Sequence, residues 1–144
     1  MRKFKKNRTN NLNYKDIEKT VTDVPNKKEM KEIVFILIIS WIFPFIGTFI
    51  MHFARKKLLE KPKEILCKIV NMSFTVILIE FILTNSLQLL AYSGAPALVI
   101  YTLMGVIVSI FIFGLVSHLL GTIKWAKGED FSYKFSVNFF KSYE

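Results

Sequence analysis

Glu80 is the residue in this chain best placed to do chemistry. It lies in the middle of a long apolar run, where a carboxylate costs ~2.5–3.5 kcal/mol to insert on translocation scales. Ser73, Thr84 and Gln88 fall within about 80° of it around a helix of 3.6 residues per turn and make a polar stripe. Asn71, Thr75 and Asn85 lie on roughly the opposite side. Such a stripe must face protein or water, and a carboxyl that no cation reaches stays protonated. Two roles suit it. One is a proton or cation site; the other is a carboxyl hydrogen-bonded between helices or to a partner subunit. The second is preferred, because a transporter would supply more intramembrane polar groups than one helix offers.

The remaining reactive side chains are sparse. His52 and His118 are the two histidines, and Cys67 is the single cysteine. No H-x-x-x-H or E-x-x-H spacing joins them, so no metal site is expected. Arg55 stands close to His52 at a membrane boundary, which suggests an interfacial imidazole. His118 lies near the cytoplasmic end of the third apolar run, and would meet Glu80 only if their depths matched. Cys67 reads as a small buried hydrophobe, with no lipidation motif around it. There is no G-x-S-x-G, no phosphate-binding loop and no pair of carboxylates. No catalytic residue and no cofactor is expected.

The elements that must position these groups follow from composition. The 144 residues are 52% hydrophobic and 22% charged, with mean hydropathy +0.38. The first 32 residues and the last 20 or so are polar and basic, so the middle is far more apolar than the average. That excludes an ordinary water-soluble fold and makes a bilayer the solvent. We expect an all-α integral membrane protein of three hydrophobic helical segments. The net charge is +9. Anionic headgroups explain it better than nucleic acid does, since each juxtamembrane Lys or Arg gains ~1 kcal/mol there. Seventeen of the 20 cations are Lys, and Ile, Asn and Phe are abundant, which suggests an A/T-rich bacterial genome.

Residues 1–32 form a basic lead. Its first 13 residues suit disorder, whereas Tyr14, Ile17, Val21 and Val24 share one face of a surface helix over 14–24, capped by Asn13 and stopped by Pro25. The lead is too long and polar for a cleaved signal. Segment one spans 33–54, with Pro44 and Gly47 marking a kink or break and Trp41 unusually central. A basic connection over 55–64 contains Pro62. Segment two spans 65–91, with Lys68 near its start able to snorkel, and segment three 97–123. In the tail, 124–144, apolar and polar residues alternate from Phe131 to Phe139. That pattern predicts an extended strip with one apolar face, lying as an aromatic anchor in the headgroup layer.

Charge orients the segments. Arg55, Lys56, Lys57, Lys61 and Lys63 crowd the first connection, four lysines follow segment three, and none lies in 92–96. The connection, with its lipid-facing basic residues, and the C-terminus therefore face the cytoplasm; 92–96 faces out. The protein is expected in the cell (cytoplasmic) membrane as a multi-pass chain. The lead carries ten cations that would have to cross if segment one spans. A re-entrant hairpin at Pro44–Gly47 instead keeps every basic stretch on one side. Length favours the span and charge the hairpin, and charge is given the greater weight.

Small residues in segment three let helices approach closely. Gly105 and Ser109 form one pair, and Ser117 and Gly121, with Gly114 nearby, form another on a different face. Two such faces call for an internal neighbour and a protein partner or second copy.

Three features resemble the Tic-twenty-like (MamF-like) family of small bacterial membrane proteins of unknown function. One is WIFPFIGTFIMHFARKK, from Trp41 to Lys57; another is KEILCKIVNMSF, ending at Phe74; the third is IKWAKGEDFSYKF, from Ile123 to Phe135. Ala126 is followed one residue more tightly by Gly128 than in the family pattern, and Tyr133-Lys134 stands where the family closes with Tyr-Pro. The resemblance covers about residues 33–141. It implies a three-segment membrane protein without an assigned catalytic site, with some relatives in protein-translocation or organelle-shaping assemblies. The expected function is that of a non-catalytic scaffold or accessory subunit. The alternatives are immunity against a membrane-active peptide, or a small transport subunit using Glu80.

Overall fold

The computed structural model describes residues 25–43, 46–54 and 57–141. Four α-helices account for the described secondary structure, with no strand: α1 (Lys27–Ile42), α2 (Ile46–Phe53), α3 (Glu60–Tyr92) and α4 (Ala97–Ala126). Residues 1–24 of the lead, with its surface helix, and Pro44, Arg55 and Lys56 lie outside the described residues.

The helix boundaries depart from the sequence expectation for local reasons. A capping box starts α1 at Lys27, well before residue 33. The Asn26 side-chain oxygen accepts the backbone N–H groups of Lys28 and Glu29, both at 2.9 Å, and the Glu29 carboxylate accepts the Asn26 N–H at 2.8 Å. These reciprocal bonds satisfy donors that a helix start leaves open. The chain over 33–54 is two helices, not one. Gly47 sits in the first turn of α2, so close to the end of α1 that a Cβ there would lie 2.7 Å from the Phe43 Cβ and 2.8 Å from the Ile39 Cγ2. Helix α3 begins at Glu60 and takes Pro62 into its first turn, where the missing N–H would have had no helical partner. Lys61 and Lys63 therefore ride on a helix rather than in a loop.

The two long helices, α3 and α4, are joined by a tight turn in which Gly94 takes φ 75°. At 1.5 Å per residue they are about 50 and 45 Å long. Both are long and apolar enough to cross a membrane. Ile33, Ile36 and Leu37 of α1 pack with Ile65, Leu66, Ile69 and Val70 of α3 in one core, which Trp125 and Tyr133 complete. Helix α2 then turns back. Ile46, Thr48 and Phe49 share a cleft with Val70, Ser73, Phe74 and Ile77, whereas His52, near the far end of α2, reaches Cys67. Just beyond, the backbone N–H of Leu59 donates to Glu32 at 3.1 Å. Thus α1 and α2 form a short hairpin against the first half of α3, and the chain enters and leaves it at the same end.

The tail packs on the bundle at part of its length: Tyr133 is buried, and Phe131 and Phe140 pack onto the core. Phe135, Val137 and Phe139, on the apolar face that the alternation gives, are exposed. An isolated extended segment leaves its backbone groups unpaired. Here polar side chains of α3 pair with them, and that pairing overrides the apolar period.

Candidate functional site

The polar side chains that α1, α4 and the tail bring together lie near the far end of α1, where Ser40 and Trp41 meet His118 and Thr122 of α4. Ser40 is completely buried. Its hydroxyl donates to the Leu37 carbonyl at 2.7 Å, and its oxygen lies 3.0 Å from His118 Nε2. The Tyr133 hydroxyl lies 3.0 Å from Nδ1, so the His118 ring is held at both nitrogens, by α1 on one side and the tail on the other. Beside this chain of bonds, Trp41 stacks on His118 with centroids 4.9 Å apart and donates its indole N–H to Thr122 at 3.0 Å. The tip of α1 is thereby pinned to α4.

Asn71 holds the tail. Its carboxamide oxygen accepts the N–H groups of Phe139 (3.0 Å) and Phe140 (2.8 Å), and its amide donates to the Phe140 carbonyl at 2.9 Å. One turn on, Thr75 accepts the Val137 N–H at 3.0 Å while donating to the Asn71 carbonyl at 2.7 Å. The Phe140 ring lies over His52 at 4.6 Å. His52 is buried, with its Nδ1 3.9 Å from the Cys67 sulfur. Cys67 is itself buried, as expected of a small core residue. Among the described residues no group of three His, Cys, Asp or Glu is placed to hold a metal ion.

Lys68 bridges Glu64 at 2.9 Å and Asp130 at 2.8 Å, tying α3 to the chain beyond α4. Partial burial disfavours the Asp130 carboxylate, but the Lys68 ammonium and the Phe131 N–H outweigh that and hold its pKa below the ordinary value. Burial alone pushes the Tyr133 phenol well above its ordinary value. Lys57, Lys61, Lys63, Lys124 and Lys127 surround this end in the chain. The long stretch from Ile69 to Ile123 contains neither Lys nor Arg.

Glu80 lies well away from this cluster and does not meet His118, which is committed to Ser40 and Tyr133. Ser73 and Glu80 are half-buried along α3, whereas Thr84 and Gln88 are exposed. Glu80 Oε1 is buried without a hydrogen-bond partner. The small residues divide in the same way. Gly114 approaches α3 closely enough for a Cβ to lie 3.4 Å from Val76, and Gly121 faces Phe131 and Trp125. Ser117 lines a cleft with the tail. Gly105 has nothing within 4 Å and Ser109 is exposed, so that pair has no neighbour in the described chain.

Sequence reasoning missed Ser40, Tyr133 and the clasp made by Asn71. The available signals were a serine and a tryptophan side by side inside an apolar run, and an Asn–Thr pair at helical spacing on the face opposite Glu80. Comparison with protein-family models, curated proteins and solved structures gives no match to this chain.

Proposed function

We propose that this chain is a small, non-catalytic integral membrane protein that serves as a scaffold or accessory subunit, held by its basic end on anionic headgroups. The observation that carries this is the segregation of charge. All 20 Lys and Arg lie in 1–32, 55–64, at Lys68 or after Ile123. The described parts of those stretches meet at one end of the bundle through the Glu32–Leu59 and Lys68–Asp130 bonds. In this reading α3 and α4 cross the bilayer and the α1–α2 hairpin is re-entrant. The lead, the first connection and the tail then share the cytoplasmic side, and the turn at Gly94 lies outside. The hairpin's polar tip is covered where lipid could not satisfy it: Ser40 and Trp41 are bonded to His118 and Thr122. Ser40, completely buried and bonded to the Leu37 carbonyl and to His118, supports a structural role in holding α1 on α4. Membership of the Tic-twenty-like family is part of the same proposal.

The test is purification of the intact chain in mild detergent, followed by mass spectrometry of bound lipid and protein. We expect anionic phospholipid enriched over its bulk fraction, and a second membrane protein at integer stoichiometry. Lys57→Gln, Lys61→Gln and Lys63→Gln together should weaken anionic-lipid retention by about 100-fold, at ~1 kcal/mol per charge. Retention unchanged in the triple variant, with no second protein, would refute the proposal.

A further inference from the structure

Along α4, Phe113, Ser117, Leu120 and Lys124 fall at steps of four, three and four and so share one face. The tail runs back beside that face and touches it at two levels. A Cβ on Gly121 would lie 3.0 Å from the Phe131 ring, and the Phe135 ring meets Phe113 edge-on with centroids 5.5 Å apart. Between the two contacts a cleft stays open, lined by Ser117 and Leu120 of α4, by Met72 of α3 and by the tail from Phe131 to Phe135. Most of that lining is apolar, and Lys134 is the cation in it. Lys124 stands over the end of the cleft, its Nζ 5.7 Å from the centroid of the Phe131 ring. Both lysines are exposed, and neither meets a carboxylate among the described residues.

Depth says what fills the cleft. In the reading of α3 and α4 as membrane-spanning, on which this inference rests, the turn at Gly94 lies at the outer boundary. From Ala97 to Ser117 helix α4 rises about 30 Å, the thickness of the hydrocarbon core. Phe113 then lies inside the hydrocarbon, Ser117 at its cytoplasmic boundary and Gly121 about 6 Å beyond, in the headgroup layer. The Phe131 ring, packed on Gly121, holds the Lys124 ammonium in that layer. Lys134 follows Tyr133, which bonds His118 beside the boundary, and its flexible stem carries the ammonium outward to the same layer. The cleft is thus apolar on its hydrocarbon side and cationic on its headgroup side. We propose that it binds one phospholipid with a net-negative headgroup, an acyl chain lying between α4 and the tail and the phosphate held by Lys124 and Lys134. This assigns a defined lipid site apart from the general grip of Lys57, Lys61 and Lys63 on the membrane surface.

The full chain is reconstituted into phosphatidylcholine vesicles that contain a phosphatidylglycerol with a photoreactive diazirine on one acyl chain. After illumination, adducts are mapped by peptide mass spectrometry. They should concentrate on residues 113–120 and 131–135, saturate at a single lipid per chain, and be displaced by unlabelled phosphatidylglycerol although phosphatidylcholine is in excess. The same photoreactive chain on phosphatidylcholine should label the exposed faces of α3 and α4 without that focus. Lys124→Gln/Lys134→Gln should weaken the focused labelling about 30-fold, from the gain of each juxtamembrane lysine. Ser117→Phe fills the cleft, leaves both lysines in place and should remove the focus, whereas Leu119→Phe, at an exposed neighbour, should not. The lysine variant reports even if Ser117→Phe fails to fold. Even labelling along the exposed helix faces overturns the inference. So does an equal focus from the phosphatidylcholine probe, or labelling unchanged in the lysine variant. Carbonate extraction separates the two levels: a chain released from the vesicles refutes the membrane reading itself, whereas one that stays embedded without focused labelling refutes only the cleft. Lys57, Lys61 and Lys63 are kept in every variant, so the general headgroup grip and the cleft can fail separately.

Discussion

Replacing Asn71 by alanine tests how the tail is held. The carboxamide makes three hydrogen bonds to the backbone of Phe139 and Phe140. Truncation leaves two N–H groups and one carbonyl of a half-buried segment without those partners. A typical intramolecular hydrogen bond contributes ~0.5–1.5 kcal/mol net, so three together contribute about 2–4 kcal/mol. The Thr75–Val137 bond and the aromatic contacts of Phe139 and Phe140 with Phe74 remain. The tail should therefore open more often rather than detach completely. At a factor of ten per ~1.4 kcal/mol, the open population rises about 30- to 700-fold. Amide hydrogen exchange of the 131–141 peptide, measured in lipid nanodiscs, reads this directly. Val137, Phe139 and Phe140 should be protected in wild type and exchange faster by that factor in Asn71→Ala. Asn85→Ala should leave the tail unchanged, because Asn85 bonds only to its own helix at Phe81. Equal tail exchange in wild type and Asn71→Ala would refute the clasp.

Gly47→Ala forces a Cβ to within 2.8 Å of Ile39 and Phe43 and should cost about 1–3 kcal/mol through overpacking. Gly105→Ala meets open space and should shift stability by less than about 0.5 kcal/mol; thermal melts in detergent compare the two. Tyr133→Phe removes the hydroxyl partner of His118 Nδ1 and should cost about 1–3 kcal/mol for the ring nitrogen left unpaired, read by the same melts. The tail should also respond at both extremes of pH. Asp130 is depressed on folding, so its contribution is present above the ordinary carboxylate pKa of about 4 and is lost as pH falls below it. Tyr133 is raised, so its contribution is full below about pH 10 and is lost above. In a Trp41→Phe background, Trp125 emission should be flat between those limits and change outside them.

The long apolar helices were legible because length and hydropathy alone define them, and the ends of segments two and three were misplaced by only a few residues. Segment one, where Pro44 and Gly47 interrupt an apolar run in the sequence, is covered by two helices, α1 and α2. The start of α1 was missed although N-x-x-E stands at Asn26–Glu29, because the apolar run rather than the cap was taken as the boundary. The pairing of the tail was not legible, because the backbone of an extended segment must be paired and its partners, Asn71 and Thr75, lie more than 60 residues away in sequence. The burial of His52 was likewise not legible: a boundary position in one helix says nothing of Phe140 arriving from the tail. The expected hydrogen bond of Glu80 between the helices is absent at Oε1 among the described residues, whereas the Ser40 and Tyr133 partners of His118 were not legible, because only packing brings them together.

Sidedness tests the central claim most directly. Single cysteines at Asn10, Lys57 and Ser93, each in a Cys67→Ala background, are exposed in intact cells to a membrane-impermeant maleimide. The account predicts labelling at position 93 alone, with positions 10 and 57 reacting only after the membrane is opened. Labelling of position 10 from outside would contradict it, because the lead would then lie across the bilayer from the rest of the basic end.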